Sequence, residues 1–428
     1  MERSVEVVVG TNEELKKEEV SSIHVPDDIA FSILSKLSIK SLKRFGCVRK
    51  SWSRLFENPY FMSMLRNHFL SNNNNHSDYG GGHTFLVIQE YELPLTYLSD
   101  VHCIIYLLSN DDDKFDNRIK LDLPPPFHDN DSLFYILSSV SINGILCVGQ
   151  DTTRESVEIF QAVLWNPATA EYMVIPLSPS ESVPPYRDTV CKFHGFGYDH
   201  VTDDYKLIRY LSFFRGTDTD YYEYEPWEDI WYDPLLEIYS LRSNSWKLLE
   251  IDMHDIAECV YYASPRLGRE VYMDGLCHWW GSYDLQNVTG CLVSFDFSNE
   301  VLFTTPMLLE LGECCDDIID RRLVVLNESI ALISNCFQAS TFHISILSEL
   351  GVKESWFKLF IVGPISFIEC PIGVGKKGDI CFKQKNDELV WIDLSTQIID
   401  EIGVKGDKYC FQMGIYNESL LQIRGFNN

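Results

Sequence analysis

The chain is predicted to be an α+β multidomain protein, a small helical module followed by an all-β propeller of about six blades. Three observations predict it. Helical periodicity is confined to residues 21–70. From Thr84 onward, short runs of Val, Ile, Leu, Phe, Tyr and Trp are broken by Asn, Asp, Gly, Pro or Ser. Those runs recur as a multi-strand unit at roughly 40 to 55 residues, and such a unit cannot cover both of its faces without neighbours.

Residues 1–20 are rich in Glu and poor in large apolar groups, the composition of a mobile tail. The helical module follows over residues 21–70. Pro26 is preset for a first helical turn, Asp27 and Asp28 suit the positive end of the macrodipole, and Ile29, Ile33, Leu34 and Leu37 fall on one stripe. Beyond the Ser38 to Ser41 turn, Leu42, Phe45, Val48, Trp52 and Leu55 form a second stripe backed by Lys43, Arg44, Arg49, Lys50 and Arg54. Two apolar stripes in so short a segment are hard to cover internally, so the module is expected to need a partner. Residues 71–83, SNNNNHSDYGGGH, read as a linker.

The β region, residues 84–428, repeats a tight Gly or Asn turn before one strand and a polar turn after a later aromatic strand. Copies begin at Asn143-Gly144, Gly195-Phe196-Gly197-Tyr198-Asp199, Met273-Asp274-Gly275, Leu326-Asn327 and Lys377-Gly378-Asp379. A sixth unit is expected to combine Thr84 to Leu123 with Phe411 to Ile423, drawing strands from both ends of the region. Six blades are predicted, with seven as the alternative.

The formal net charge is −28. Residues 24–70 carry eight basic against three acidic groups, a net of plus five, so the remainder carries minus 33. Opposite fields of this kind favour an acidic partner for the helical module and a basic one for the propeller. Nucleic acid is not an expected ligand of the propeller, because phosphate contacts need clustered Lys and Arg. No long apolar run or secretory leader is evident, and the 13 cysteines contain no CxxC, so a reduced, intracellular protein without a membrane span or cofactor is expected, cytoplasmic or nuclear.

The order Pro26-Asp27-Asp28-Ile29, Ile33-Leu34, Leu37, Ile39-Lys40-Ser41-Leu42, Arg44-Phe45, Cys47-Val48, Lys50-Ser51-Trp52 and Leu55 resembles the plant F-box. Val25 stands where that family usually has Leu, Ser38 where it often has Pro, and Arg49 where it often has Cys. The resemblance implies docking on the Skp adaptor of a cullin-based ubiquitin ligase, with Val25, Pro26, Ile29, Ile33, Leu34, Leu37, Leu42, Phe45, Val48 and Trp52 as anchors. Further along, GFGYDHVTDDYKLIRY, EIYSLRSNSWKLLE, YMDGLCHWWG, LVSFDFSNE and GVKESWFKLF are similar to phrases of the plant F-box-associated domain, often described as kelch-like. Together the two segments resemble plant F-box proteins such as the S-locus F-box proteins. They imply a non-catalytic receptor that holds a protein substrate for ubiquitin transfer by other subunits.

Candidate chemical groups have simpler structural readings. Asp199, Asp203 and Asp204 fit a strand-to-strand turn, in which Asp side chains accept nearby backbone amides. Cys277 and His278 are adjacent on a strand and point to opposite faces, so His278 is expected to be a core or channel residue. Trp165, Trp246, Trp279, Trp356 and Trp391 are expected to pack blades. One stretch exceeds what folding requires. Residues 215–235, RGTDTDYYEYEPWEDIWYDPL, set seven carboxylates beside Tyr221, Tyr222, Tyr224, Trp227 and Trp231. Tyr and Trp are common interface anchors and a carboxylate rim selects a basic surface, so these residues are the candidate substrate contacts. A small-molecule- or carbohydrate-binding propeller and a non-degradative scaffold are the alternative readings.

Overall fold

The computed structural model describes residues 26–37, 41–42, 52, 58–71, 84–92, 102–109, 118–124, 134–137, 141–154, 157–182, 187–215, 235–251, 270–282, 290–307, 321–336, 338–375, 378–405 and 412–423. Among the described residues, helices α1 (Asp27–Leu34) and α2 (Pro59–Ser71), with further helical residues at 41–42 and 52 between them, precede 24 strands in six four-stranded antiparallel sheets. Neither described helix is long and apolar enough to cross a membrane.

The first sheet has the order β24-β1-β2-β3, from β1 (Thr84–Glu92), β2 (His102–Ser109), β3 (Arg118–Lys120) and β24 (Gln412–Asn417). The C-terminal strand thus joins the first three, in the register Thr84↔Asn417 to Gln89↔Gln412. The shared sheet expected from the two ends of the β region is present. The second sheet comprises β4 (Phe134–Ile136), β5 (Leu146–Arg154), β6 (Val157–Asn166) and β7 (Glu171–Val174). The third comprises β8 (Arg187–Asp199), β9 (Asp204–Arg215), β10 (Leu235–Ser240) and β11 (Ser245–Leu249). The fourth runs from β12 (Val271–Met273) through β13 (Leu276–Ser282) and β14 (Gly290–Asp296) to β15 (Val301–Pro306). The fifth holds β16 (Arg321–Leu326), β17 (Ser329–Cys336), β18 (Thr341–Leu347) and β19 (Trp356–Val362). The last holds β20 (Ile368–Val374), β21 (Ile380–Gln384), β22 (Glu388–Ile392) and β23 (Ile399–Lys405).

Leading strands contact one another in series, β8 with β12, β12 with β16, β16 with β20 and β20 with β24. The circuit closes between the first and second sheets, where the Ser141 amide donates to the Ile415 carbonyl at 2.8 Å and Tyr416 packs with Leu146 and Val148. This is a six-bladed ring.

Local chemistry explains why the strands turn where they do. Asn143-Gly144 and Asp274-Gly275 hold φ of 53° and 81°, and 52° and 82°. Two successive positive φ values make the type I′ turn that matches strand twist, and Asn-Gly and Asp-Gly are its preferred pairs. Asn327-Glu328 makes the same turn with φ of 47° and 54°. The connections from third to fourth strand carry a second device. Asp296 Oδ1 accepts the amides of Ser298 and Asn299 at 2.8 and 3.0 Å, and Asp393 Oδ1 accepts those of Ser395 and Thr396, both at 2.7 Å. Asn166 and Ser240 do the same at their turns, each accepting one amide.

Asp199 shows how a turn residue also ties blades together. Its Oδ1 accepts the Val201 amide at 2.9 Å, as the turn reading requires, and it is fully buried. Ser298 of the fourth blade donates to it at 2.6 Å, and Lys206 Nζ lies 2.9 Å away. Lys206 continues to the Phe297 carbonyl at 2.8 Å and to Glu300, which Lys247 meets at 2.6 Å. Burial pushes the Asp199 pKa up, but hydrogen bonds from Ser298, Thr202 and Lys206 outweigh it and hold the carboxyl well below the ordinary 3.8. Its contribution to stability is therefore complete above pH 4 and is lost as pH falls below that.

Asp199→Asn is expected to cost about 3 kcal/mol at neutral pH by leaving the buried Lys206 partly uncompensated. It should also flatten the acid limb of the unfolding curve below pH 4. Urea titrations of both proteins from pH 2.5 to 7 check this, and parallel acid limbs would refute the assignment.

Candidate functional site on the helical face

The helices occupy the outside of the fifth and sixth blades. Pro26 opens α1, its carbonyl accepting the Ala30 amide at 2.9 Å. Asn58 caps α2 by accepting the Tyr60 and Phe61 amides at 2.9 and 3.2 Å, with Pro59 at the first helical position. Leu34, Leu42, Phe61, Met62 and Leu65 are buried in one apolar cluster with Leu359, Phe360, Val362, Val390 and Ile392, and Phe31 meets the Phe61 ring edge-on at 5.6 Å. Each large side chain buried in this way contributes about 1.5–3 kcal/mol. The helices are part of the propeller's core.

This divides the expected anchor set. Leu34 and Leu42 are buried against the chain's own blades, and Leu37 and Trp52 are partly buried against the same cluster. Pro26 is exposed, while Ile29 and Ile33 are 49% and 56% exposed. Val25, Phe45 and Val48 lie outside the described residues. The difference from a single outward stripe follows from helical geometry. Successive residues are separated by about 100°, so Ala30 and Leu34 line one face while Ile29 and Ile33, also four apart, line the next. Tyr60, 64% exposed at the start of α2, adds a third large side chain to the solvent face of the helices.

Tyr221, Tyr222, Tyr224, Trp227 and Trp231 lie outside the described residues. Their connection can still be placed by its flanks. Arg215 pairs with Arg187 at the start of β8, so residues 216–234 leave from the end of the third blade where its leading strand begins. β12 and β16, which follow residues 252–269 and 308–320 in the chain, begin at the same end of their blades. The I′ and Asp-capped turns lie at the opposite end. One end of the ring is stapled and the other carries the long connections.

The remaining chemical candidates are structural. Among the described residues no group of His, Cys, Asp and Glu is arranged to hold a metal ion. Cys277 faces the third blade with Trp279, and burial raises its thiol pKa well above the ordinary value. His278 is fully buried; Nδ1 lies 2.8 Å from Ser294 Oγ, while Nε2 has no protein partner. It is a core histidine, but only half satisfied. A charged group absent from the sequence reading is Arg209, which meets Glu237 at 2.8 Å with both side chains buried. Ser178 donates to Glu237 at 2.8 Å, and the guanidinium lies 3.9 Å from the centre of the Trp246 ring. The only sequence signal for it is a charge within each of two apolar strand runs, Leu207-Ile208-Arg209-Tyr210-Leu211 and Leu235-Leu236-Glu237-Ile238-Tyr239.

Residues 96–423 match the F-box associated beta propeller domain, more than three quarters of the chain. The chain belongs to the F-box-associated β-propeller family. Curated relatives extend the match into the helical module. F-box protein CPR1 of Arabidopsis thaliana is 23% identical over 395 residues, covering 89% of this chain and 84% of the relative. A putative F-box protein of the same plant is 23% identical over 367 residues, covering 84% and 79%. An F-box/kelch-repeat protein, also from Arabidopsis thaliana, is 22% identical over 368 residues, covering 85% and 86%.

In this F-box-associated propeller the phrase GFGYD has a steric basis. A Cβ at Gly195 would sit 2.7 Å from Cys277 Sγ, and one at Gly197 2.0 Å from the Phe297 ring. Both glycines admit side chains of the fourth blade, and Asp199 then binds Ser298 beside them.

Burial lowers the His278 pKa from 6.5 to about 4. Above pH 6.5 the imidazole is neutral in both states. Between pH 6.5 and 4 the unfolded chain binds a proton that the native state refuses, so stability falls as pH falls. His278→Gln should reduce the loss of stability between pH 6.5 and 4.5, measured by thermal melting; an unchanged slope would show that His278 titrates normally in the fold.

Proposed function

We propose that the protein is the substrate-recognition subunit of a Skp-cullin-F-box ubiquitin ligase. Residues 21–70 dock on the Skp adaptor and residues 84–428 hold a protein for ubiquitin transfer by other subunits. The observation that carries the reading is the division of α1. One face is built into the propeller core, and the other leaves Ile29 and Ile33 in solvent within an F-box-like sequence. Two isoleucines one turn apart set an apolar stripe in solvent, the arrangement that a partner's groove covers. The F-box names of the relatives and the basic balance of the segment support the same reading. The chain's contribution to catalysis is then proximity, supplied to chemistry done elsewhere.

The substrate is assigned to the end that carries the long connections. Seven carboxylates and a set of Tyr and Trp side chains in residues 215–235 suit a basic protein surface. In this reading Tyr221, Tyr222, Tyr224, Trp227 and Trp231 are anchors and the acidic groups are the rim.

Ile29→Asp with Ile33→Asp should weaken adaptor binding by roughly 100-fold or more, since each isoleucine contributes about 1.5–3 kcal/mol when buried. The propeller's melting midpoint should not move, because neither side chain belongs to the core. Calorimetric titration with a purified Skp adaptor reads the first effect and melting the second; wild-type affinity in the double variant would remove α1 from the interface. Replacing Tyr221, Tyr222, Tyr224 and Trp227 together by Ser is expected to abolish substrate capture while adaptor binding survives. Undiminished capture would move the substrate site elsewhere on the ring.

A further inference from the structure

After β24 closes the first blade, the chain continues without regular secondary structure across the second. Asn166, fully buried at the end of β6, donates from Nδ2 to the Ser419 carbonyl at 2.9 Å and to the Leu421 carbonyl at 2.8 Å. Its Oδ1 accepts the Ala168 amide at 3.0 Å, so the amide orientation is fixed by the turn it caps. The Glu171 carboxylate accepts the Ile423 amide at 3.0 Å. Ile423, 1% exposed, enters the apolar cluster between the second and third blades with Ile142, Phe196, Leu207 and Leu241. The floor of this groove is the Asn143-Gly144 turn, where a Cβ at Gly144 would lie 2.5 Å from Ser419 Cβ. Two side chains bind alternate backbone groups of an extended segment and a pocket takes its last aliphatic residue. That is how grooves bind extended peptides.

We propose that the groove between the Asn143-Gly144 and Asn166–Glu171 turns is a peptide-binding site occupied in cis by residues 417–423, which form a strap that closes the ring a second time. The strap starts on the first blade, crosses the second and ends in the wall of the third. It therefore ties both interfaces of the second blade, whereas the β24 pairing ties only the first blade. The outward side of the strap is unconstrained: Leu420 is 80% exposed, and Leu421 and Gln422 are also exposed. The ligand class follows from the contacts: an extended segment with two backbone carbonyls spaced i and i+2 for Asn166 and an aliphatic residue at i+4 for the pocket.

The test uses the full chain with three separate substitutions, Ile423→Asp, Asn166→Ala and, as control, Leu420→Asp. The first two should lower the melting midpoint by about 4 °C or more and raise amide exchange over residues 141–148 and 416–423, while the control matches wild type. A synthetic peptide Asn-Glu-Ser-Leu-Leu-Gln-Ile, added to the Ile423→Asp protein, should restore both readings in a saturable way. Asn166→Ala should weaken that peptide's binding about tenfold, the loss of two hydrogen bonds. If Ile423→Asp fails to fold, the exchange pattern of Asn166→Ala decides the strap by itself. Wild-type melting and exchange in Asn166→Ala, equal effects from the control, or no rescue by the peptide would each overturn the proposal.

Discussion

The pairing of β24 with β1 is the constraint on which the rest of the molecule depends. A blade cannot cover both faces alone, and the leading strands from β8 through β12, β16 and β20 to β24 contact one another in series. The first blade lacks a leading strand until residues 412–417 return to residues 84–89. Loop-closure entropy for a separation of this length is about 5 kcal/mol beyond a constant, comparable to the net stability of a domain. It is offset by the six residue pairs of the ladder and by the burial of Met413 and Tyr416 against the neighbouring blades. Closure is also what brings Ser141 to Ile415 and Asn166 to the C-terminal segment, so the second blade acquires its neighbour only when the chain ends meet.

The two ends of the ring are chemically different for a reason that lies in the connections. Where one strand turns directly into the next, Asn-Gly and Asp-Gly pairs and Asp-capped turns satisfy the backbone locally and leave little chain to spare. At the other end lie longer connections of two kinds, residues 216–234 between two strands of the third blade and residues 252–269 and 308–320 between one blade and the next. The ion pairs of Asp199, Lys206 and Glu300 lie at the stapled end, where they join the third and fourth blades. Amide-capped turns and inter-blade ion pairs thus share one end of the ring.

The fold was largely legible in the sequence because its signals are local. A tight turn, an Asp or Asn that accepts amides two and three residues on, and an aromatic strand mark a blade wherever they occur, and the shared first blade follows from counting units. The weaker features were those set by contacts distant in sequence. Nothing near Gly197 announces that the Phe297 ring will sit against it, and nothing near Arg209 announces Glu237 and Trp246. The helical module shows the same limit. Its apolar residues were legible as a set, but the division between those facing the propeller and those facing solvent depends on which blade the helix meets, which periodicity alone does not encode. The candidate substrate residues rest on composition alone, seven carboxylates beside Tyr and Trp side chains in residues 215–235.

The division of α1 also bears on how such a receptor can work. An adaptor-binding helix joined to its propeller only by a flexible linker would present a bound protein over a wide range of positions, and the effective concentration at a transfer site would fall accordingly. Here Leu34, Leu42, Phe61 and Leu65 share a core with the fifth and sixth blades. A partner that grips Ile29 and Ile33 therefore grips a helix whose opposite face cannot rotate without opening that core. In the proposed function, adaptor docking fixes the whole ring in orientation, and the contribution of proximity to ubiquitin transfer is set by packing within this chain rather than by the length of residues 71–83.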